Sequence, residues 1–285
     1  MNIAYRFRIY PTEEQKILLG KTFGCCRFLY NQMLNDKIRE YEKTKKMLKN
    51  TPAMYKKEYP FLKEIDSLAL ANVQLHLEKA YKNFFRDPKI GFPRFKSKHH
   101  SKNSYTTNVV NGNILVESKR IRLPKLKWIA MKKHREPAEG LRLKSVTVSM
   151  EPSGKYFASL LYEGYSCENQ AAGPDYSTAK ILGIDYAMQG MAVFSEKVET
   201  EEAGFFRKNE KRLAREQRKL SRCVRGSHNY ELQKKKVARC HEKIRNQRRD
   251  HLHKLSRKIA DGYDAAAVED IDMKAMGQCL HFGKS

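Results

Sequence analysis

Apolar side chains alternate with mostly polar ones at the start of the chain, where Ile3, Tyr5, Phe7 and Ile9 stand two apart. That period belongs to a strand with one buried face. Pro11 ends the run, and Thr12-Glu13-Glu14-Gln15 supplies a capping box, hydroxyl and amide each satisfying an exposed backbone donor at a helix start. The spacing of Leu18, Phe28, Met33, Leu34, Ile38 and Tyr41 then predicts a long helix through Tyr41, and a second apolar helix follows from about Ser67 to Phe85. Between Asp87 and Lys102 the pattern breaks. Pro88, Gly91 and Pro93 oppose helix, while Arg94, Lys96, Lys98 and Lys102 crowd around Phe92 and Phe95, so this stretch reads as a loop able to face phosphates.

From Tyr105 to Tyr165 the signal turns to strands: Ile114 and Val116, Ile121 and Leu123, Val146 and Val148, then Phe157, Ser159 and Leu161 after the turn Pro152-Ser153-Gly154-Lys155. A small β-barrel or sandwich is expected. The opening strand should join it, so that residues 1–11 and 103–165 form one domain and the helical region 12–102 is an insertion. Residues 166–178, rich in Asn, Gly, Pro, Asp and Ser, suit a linker. Beyond it, Ile181-Leu182-Gly183-Ile184-Asp185 reads as a buried strand ending in a carboxylate, and Met191-Ala192-Val193-Phe194 as its antiparallel return. Over 205–260 a helical hairpin is predicted, with Leu213, Leu220, Val237, Cys240, Ile244, Leu252, Leu255 and Ile259 on its apolar positions and a break at Gly226-Ser227. Ala265 to Ile271 reads as another buried strand, carrying Glu269 and Asp270.

Charge changes the picture. Lys and Arg number 57 against 32 Asp and Glu, a net charge of +25, and such an excess calls for a polyanionic partner, nucleic acid before an acidic membrane. No apolar run of about 18 residues exists to span a bilayer, and the first residues lack the apolar middle of a secretory signal. A cytoplasmic protein without a membrane partner is therefore expected. At 285 residues and 40% hydrophobic content, two compact domains fit better than one. The six cysteines form no Cys-x-x-Cys pair, so neither a disulfide framework nor a zinc site is read from them, and no zinc is expected. His251 and His253 fall in a helical stretch together with the Cys240-His241 pair, where near neighbours in sequence point in different directions and make poor shared ligands.

Asp185 and Glu269 end two apolar runs 84 positions apart, with the basic hairpin between them. Each alone more often caps a helix or accepts turn hydrogen bonds. Were the two strands neighbours in one sheet, the acids would converge. At about 4 Å their repulsion is about 4 kcal/mol at an effective dielectric near 20, which a divalent cation would offset. Oxygen ligands favour Mg2+ or Mn2+, and such ions promote in-line hydrolysis of a phosphodiester.

The motifs then become specific. Gly183-Ile184-Asp185-Tyr186-Ala187-Met188-Gln189-Gly190-Met191-Ala192-Val193 resembles the first RuvC motif of the TnpB/OrfB family, transposon-encoded RNA-guided nucleases related to type V CRISPR effectors. Val268-Glu269-Asp270-Ile271-Asp272-Met273-Lys274-Ala275-Met276 resembles that family's second RuvC motif, and 211–221 and 251–256 its bridging helices. Tyr5 to Pro11 and Gly91-Phe92-Pro93-Arg94-Phe95-Lys96-Ser97-Lys98 extend the similarity over nearly the whole chain. One mild departure is Ala187, where the family mostly has Gly.

The resemblance implies an α+β multidomain fold: an N-terminal wedge-like β-barrel with an inserted helical recognition lobe, then an RNase H-like (RuvC) α/β domain over 179–285 that carries the hairpin. It implies a transposon-derived guide RNA and target DNA as partners, Mg2+ or Mn2+ as cofactor, and phosphodiester hydrolysis as the reaction. Asp185 and Glu269 would be catalytic and metal-holding. Arg94, Lys96, Lys98, Lys211, Arg212, Arg215 and Lys219 would grip nucleic acid. The family continues through a zinc ribbon and a third RuvC acid, so the sequence reads as stopping short within the catalytic domain. A non-cleaving RNA- or DNA-binding regulator or remnant of the same descent is the alternative. Among aromatic residues, Phe92, Phe95 and Tyr105 are weighed as base-stacking groups against the commoner role of anchoring their loop, and Arg6 and Arg8 as a phosphate track.

Overall fold

The structure is a computed structural model that describes residues 2–98, 100–164, 177–186, 192–198 and 204–270. It divides into two compact units, Met1–Cys167 and Glu168–Ser285.

The first unit opens with strand β1 (Asn2–Tyr10) and helix α1 (Glu13–Thr44). The capping box forms as the sequence requires: the Thr12 hydroxyl accepts from the Gln15 amide and the Gln15 side chain accepts from the Thr12 amide. Gln15 also donates through Nε2 to the carbonyls of Leu126 and Trp128, each at 2.9 Å, so the start of the helix is fastened to the sheet. Helices α2 (Pro52–Glu58) and α3 (Ser67–Arg86) follow. Six strands complete the unit: β2 (Asn103–Asn108), β3 (Leu115–Val116), β4 (Arg120–Leu123), β5 (Lys127–Lys132), β6 (Arg142–Met150) and β7 (Tyr156–Glu163).

These strands form one antiparallel sheet in the order β2-β6-β7-β1-β5-β4-β3. The first strand in sequence thus sits centrally, between β7 and β5, and α1 to α3 lie between it and β2 in the chain. Among the described residues no pairing joins the β2 edge to the β3 edge, so the sheet is open and the closed barrel expected from the sequence is not formed. The β3 edge offers only Leu115 and Val116 for pairing, too short a ladder to continue the curl.

Helices and sheet share one core. Phe7, Ile9, Ile121, Ile129, Val146, Val148 and Leu160 from the sheet pack with Leu29, Met33, Leu70 and Leu77 from the helices, all buried. Each such side chain contributes about 1.5–3 kcal/mol by leaving water. The register decides which residues of β7 join them. Phe7 pairs with Ala158 and Tyr5 with Leu160, so Tyr156, Ala158, Leu160 and Tyr162 face inward, and the set read from the sequence, Phe157, Ser159 and Leu161, faces the other way. Both alternations contain apolar residues, and a slip of one residue exchanges the faces.

The second unit contains strands β8 (Ile181–Tyr186) and β9 (Ala192–Phe194), helices α4 (Phe205–Ser221) and α5 (His228–Gly262), and strand β10 (Ala265–Val268). Its sheet has the order β10-β8-β9, with β10 parallel and β9 antiparallel to β8. Leu213, Cys240 and Ile244 hold α4 against α5, with Phe206 and Val237 at the margin. Ser227 caps α5 by accepting from the Tyr230 amide at 3.1 Å. No helix among the described residues is long and apolar enough to cross a membrane.

Asp66 joins helix to sheet in the first unit. Its Oδ1 accepts from the Leu68 amide at 3.0 Å, capping α3, and its Oδ2 accepts from the fully buried Thr107 hydroxyl of β2 at 2.5 Å. Asp66→Ala removes the cap and strands a buried hydroxyl, so unfolding in denaturant should show a loss of about 2–4 kcal/mol. Asp66→Ala with Thr107→Val should recover part of it, because the orphaned donor is then gone; additive losses would contradict the link.

Candidate active site and nucleic-acid interface

The acids at the two strand ends owe their placement to the opposite end of the same strands. The Lys180 amide donates to Asp264 Oδ2 at 2.9 Å, and the Asp264 amide donates back to the Lys180 carbonyl at 3.0 Å. Glu196 adds a second tie by accepting from the Tyr263 hydroxyl at 2.9 Å, while the Lys180 ammonium lies 4.5 Å above the Tyr263 ring. From this clamp the parallel register runs Ala265 with Ile181, Ala266 with Leu182, Ala267 with Gly183 and Val268 with Ile184. Asp185 is the next residue of β8, and Glu269 lies one residue beyond the end of β10. Both residues are exposed, so water or a ligand reaches them.

Gly183 is needed for a neighbour's approach. A Cβ there would stand 3.2 Å from the Ser195 Cβ, and Ser195 is bound to it twice: its Oγ accepts from the Gly183 amide at 2.9 Å and its amide donates to the Gly183 carbonyl at 3.0 Å. This seats β9 on the other flank of β8, opposite Val193 at the level of Asp185. Among the described residues no group of three or more His, Cys, Asp or Glu is placed to hold a metal ion. The ladder ends at Val268 with Ile184, and Glu269 and Asp185 each follow directly on that last pair. Ala187 and residues 271–276 of the second motif lie outside the described residues.

The hairpin supplies the charge. Residues 205–262 hold 20 Lys and Arg against 6 Asp and Glu, more than half of the net surplus of the chain. On α4, Lys211, Arg212, Arg215, Arg218, Lys219 and Arg222 line one open depression of about 520 Å³, and their spacing of three, four and seven places them on one helical face. All four hairpin cations singled out from the sequence are among them. Glu216 is the acid within this stripe. It is buried, and the Gln233 amide donates to its carboxylate at 2.8 Å and to its carbonyl at 3.0 Å. That hydrogen bond, with help from Lys219, Arg215 and Lys236 and against the cost of burial, holds its carboxyl below the usual range. Glu216 thus fastens α4 to α5 through Gln233.

The basic loop of the first unit divides. Arg94 and Lys98 are exposed, as a phosphate-facing loop requires. Lys96 turns inward: its ammonium lies 3.9 Å over the Tyr30 ring, its amide donates to Asn31 Oδ1 at 2.8 Å, and burial pushes its pKa down. Packing and backbone hydrogen bonds fix Lys96, which the charge pattern alone could not show. Phe92 packs edge-on against Tyr81 and Phe84, Phe95 is exposed, and Tyr105 is buried in the core beside Phe23, its phenol pushed up by burial. Tyr105 therefore cannot stack on a base. Cys25, Cys26 and Cys240 are buried free thiols, and burial pushes Cys26 up to about 12; Cys167 and Cys279 lie outside the described residues.

With this geometry in place, comparisons with known proteins are informative. The IS605-type OrfB family profile, described as "Probable transposase", matches residues 164–279, and its "Helix-turn-helix domain" profile matches residues 1–46. Over 2–46 the structure forms strand β1 and the single helix α1. InsQ of Escherichia coli (strain K12), whose name provisionally assigns it as an RNA-guided DNA endonuclease, is 32% identical over 287 residues, covering 96% of this chain and 67% of InsQ. A Streptomyces pristinaespiralis protein with the same provisional assignment is 32% identical over 283 residues, covering 95% of this chain and 67% of its own length. The chain belongs to the IS605-type OrfB (TnpB) family of transposon proteins. A Cas12f1–sgRNA–target DNA complex also aligns, over 98% of this chain and 75% of that one, with 13% identity and a TM-score of 0.31, too loose a superposition to define a shared fold.

A surface that neutralises several phosphates releases bound counterions, so its affinity falls steeply with salt. Replacing Lys211, Arg212, Arg215 and Lys219 together by Ala should lower the slope of log K against log salt by about one for each phosphate left without its cation, measured by fluorescence anisotropy on a labelled oligonucleotide. An unchanged slope would show that this face is only solvated.

Proposed function

We propose that the protein is a metal-dependent, RNA-guided DNA endonuclease whose RNase H-like (RuvC) catalytic domain is built on the β10-β8-β9 sheet. The observation that carries this reading is the parallel register of β8 and β10, whose last pair, Val268 with Ile184, is followed directly by Glu269 and Asp185. The names of InsQ and of the Streptomyces protein support the activity, and the cationic face of α4 supports a polyphosphate ligand.

Two exposed carboxylates with oxygen donors only suit a hard divalent cation, Mg2+ or Mn2+, better than zinc. Asp185 and Glu269 would hold it. When bound, such a cation supplies Lewis-acid polarisation of a phosphodiester oxygen and lowers the pKa of water. The chain's own residues would bring the substrate there: Lys211, Arg212, Arg215 and Lys219 neutralise backbone phosphates, Arg94 and Lys98 offer positive charge on the first unit, and the Lys180–Asp264 clamp ties the start of β8 to the start of β10. A transposon-derived guide RNA would select the target by base pairing. In domain terms, 1–11 with 103–165 form the wedge-like part, 12–102 the inserted recognition helices and 179–285 the nuclease part.

The test is cleavage of a matched DNA target by the protein with its guide RNA and Mg2+. Asp185→Ala and Glu269→Ala should each reduce cleavage more than about 100-fold while leaving RNA binding by anisotropy within about twofold, since removing a group that stabilises transition-state charge costs about 3 kcal/mol or more. Cleavage that survives both substitutions would overturn the assignment of these acids. Binding of RNA and DNA without any cleavage by the unsubstituted chain would favour the non-cleaving regulator.

A further inference from the structure

The side chains of β10 hold almost nothing that fixes where it pairs. Its residues are Ala265, Ala266, Ala267 and Val268, three of them identical, and only Ala265 is shielded even in part from solvent. Register is specified by the side chains that a slip would pull out of a core, and weakly specified where none stands to lose burial. Val268 is 69% exposed, so a move by one residue costs β10 little. The consequence falls on the two residues that follow, because both are acids. Glu269 comes directly after the pair of Val268 with Ile184, and Asp270 comes next. In a chain slipped back by one, Glu269 would take the place of Val268, and Asp270 the place of Glu269.

Only this backward slip is open. Helix α5 ends at Gly262 and β10 starts at Ala265, so Tyr263 and Asp264 alone make the connection. Moving β10 forward would shorten that connection and unwind the helix end, whereas moving it back lengthens the connection by one residue at small entropic cost. What resists the backward move is gathered on the connection and on the strands beside it. Asp264 Oδ2 accepts from the Lys180 amide at 2.9 Å, a bond that Ala265 in its place could not make. The Tyr263 hydroxyl donates to Glu196, just past β9, at 2.9 Å; the Lys180 ammonium lies 3.9 Å from the same carboxylate oxygen and 4.5 Å over the Tyr263 ring. The backbone bonds from the Asp264 and Ala265 amides to the Lys180 carbonyl can be re-formed in either register by whichever residues come opposite. Side chains are therefore what distinguishes one register from the other.

We infer that Lys180, Glu196, Tyr263 and Asp264 form a register lock that selects Glu269, rather than Asp270, as the acid presented beside Asp185. The selection rests on the reading of Asp185 and Glu269 as metal-holding, and adds to it the residues that position them. Lys180 stands five residues before Asp185, and Asp264 five before Glu269, so the lock acts on the acids through the ladder and not by contact. Bonds at an exposed site are individually modest, but here they oppose only a run of alanines with no preference of its own. Tyr263 is also the residue that caps the end of α5, so the start of β10 is set by the end of the hairpin.

Cross-linking in the full chain reads the register without requiring catalysis or a metal. Ile184→Cys with Val268→Cys puts thiols on directly paired residues, whereas Ile184→Cys with Glu269→Cys does so only after the slip. With the lock intact, oxidation should join the first pair at least about tenfold faster, measured by mass spectrometry of the linked peptides, because strand alternation sends residue 269 to the other face and a disulfide needs Cβ atoms within about 4.5 Å. Adding Tyr263→Phe and Asp264→Ala should bring the two rates within about threefold, since losing two hydrogen bonds shifts such an equilibrium by about tenfold. Tyr263→Phe alone, which keeps the ring, should move the ratio the same way by about threefold. No shift in either variant would overturn the lock. Mn2+ binding supplies a readout that a merely structural role would not move. With the lock intact it should depend on Glu269 and not on Asp270; in the Tyr263→Phe/Asp264→Ala chain, Asp270→Asn should also weaken it, by at least about twofold. Dependence on Glu269 alone in both chains would overturn the selection of the acid. A register that shifts while Mn2+ binding ignores Asp185, Glu269 and Asp270 would uphold the lock and overturn the metal-site reading instead.

Discussion

Everything assigned to the second unit depends on two strands lying parallel side by side. Parallel neighbours cannot be joined by a tight turn and need a crossover of a dozen or more residues. Here the connection between β8 and β10 runs through β9 and the whole α4–α5 hairpin, so one topological requirement does two things. It returns the chain to the sheet beside β8, with Val268 opposite Ile184, and it places the most cationic segment of the sequence within the same compact unit. The Lys180–Asp264 exchange of hydrogen bonds is the local device that fixes the register. A slip of one residue would set the two acids on opposite faces.

Dense positive charge has a cost that the hairpin meets in two ways. Like charges along a helix face repel, and α4 tolerates them because Leu213 is buried against Cys240 and Ile244, and because the Glu216 carboxylate within the stripe accepts from Gln233 of the facing helix. In the first unit the charges are arranged differently: arginines lie on aromatic rings across a sheet, and the inner face of that sheet is covered by α1 and α3 through a continuous core. The same strands thus present an apolar inner side to the helices and a polar, aromatic outer side to solvent.

Much of this was legible in the residues. The capping box at Thr12, the helix from Ser67, the hairpin break near Gly226 and strand β8 with Asp185 follow from local patterns that tertiary context did not override, whereas β10 is largely exposed and ends at Val268, before the Glu269 that the sequence pattern put within it. Other features were hidden for physical reasons. In β7 both alternations are apolar enough to be buried, and only the pairing of Phe7 with Ala158 decides the face. Strand β2 is almost wholly polar, Asn103 to Asn108, and its place in the sheet comes from its partner β6 and from Asp66 bonding Thr107. Helix α2 is too short for periodicity to show. Lys96 reads as one more loop cation, yet the Tyr30 ring and Asn31 take it out of solution. The parallel pairing of β8 with β10 could be assumed but not deduced, because sequence distance says nothing about which strands become neighbours.

The central claim is that these two carboxylates act as one cation site. Binding of Mn2+ to the full chain, followed by the electron paramagnetic resonance signal of the free ion, measures this without requiring catalysis. For the unsubstituted protein, Asp185→Asn, Glu269→Gln and the double variant, the account predicts that either single substitution weakens the same site by at least about tenfold and that the second adds little, as for groups sharing one ligand. Losses that simply add, or Mn2+ binding indifferent to both substitutions, would contradict it.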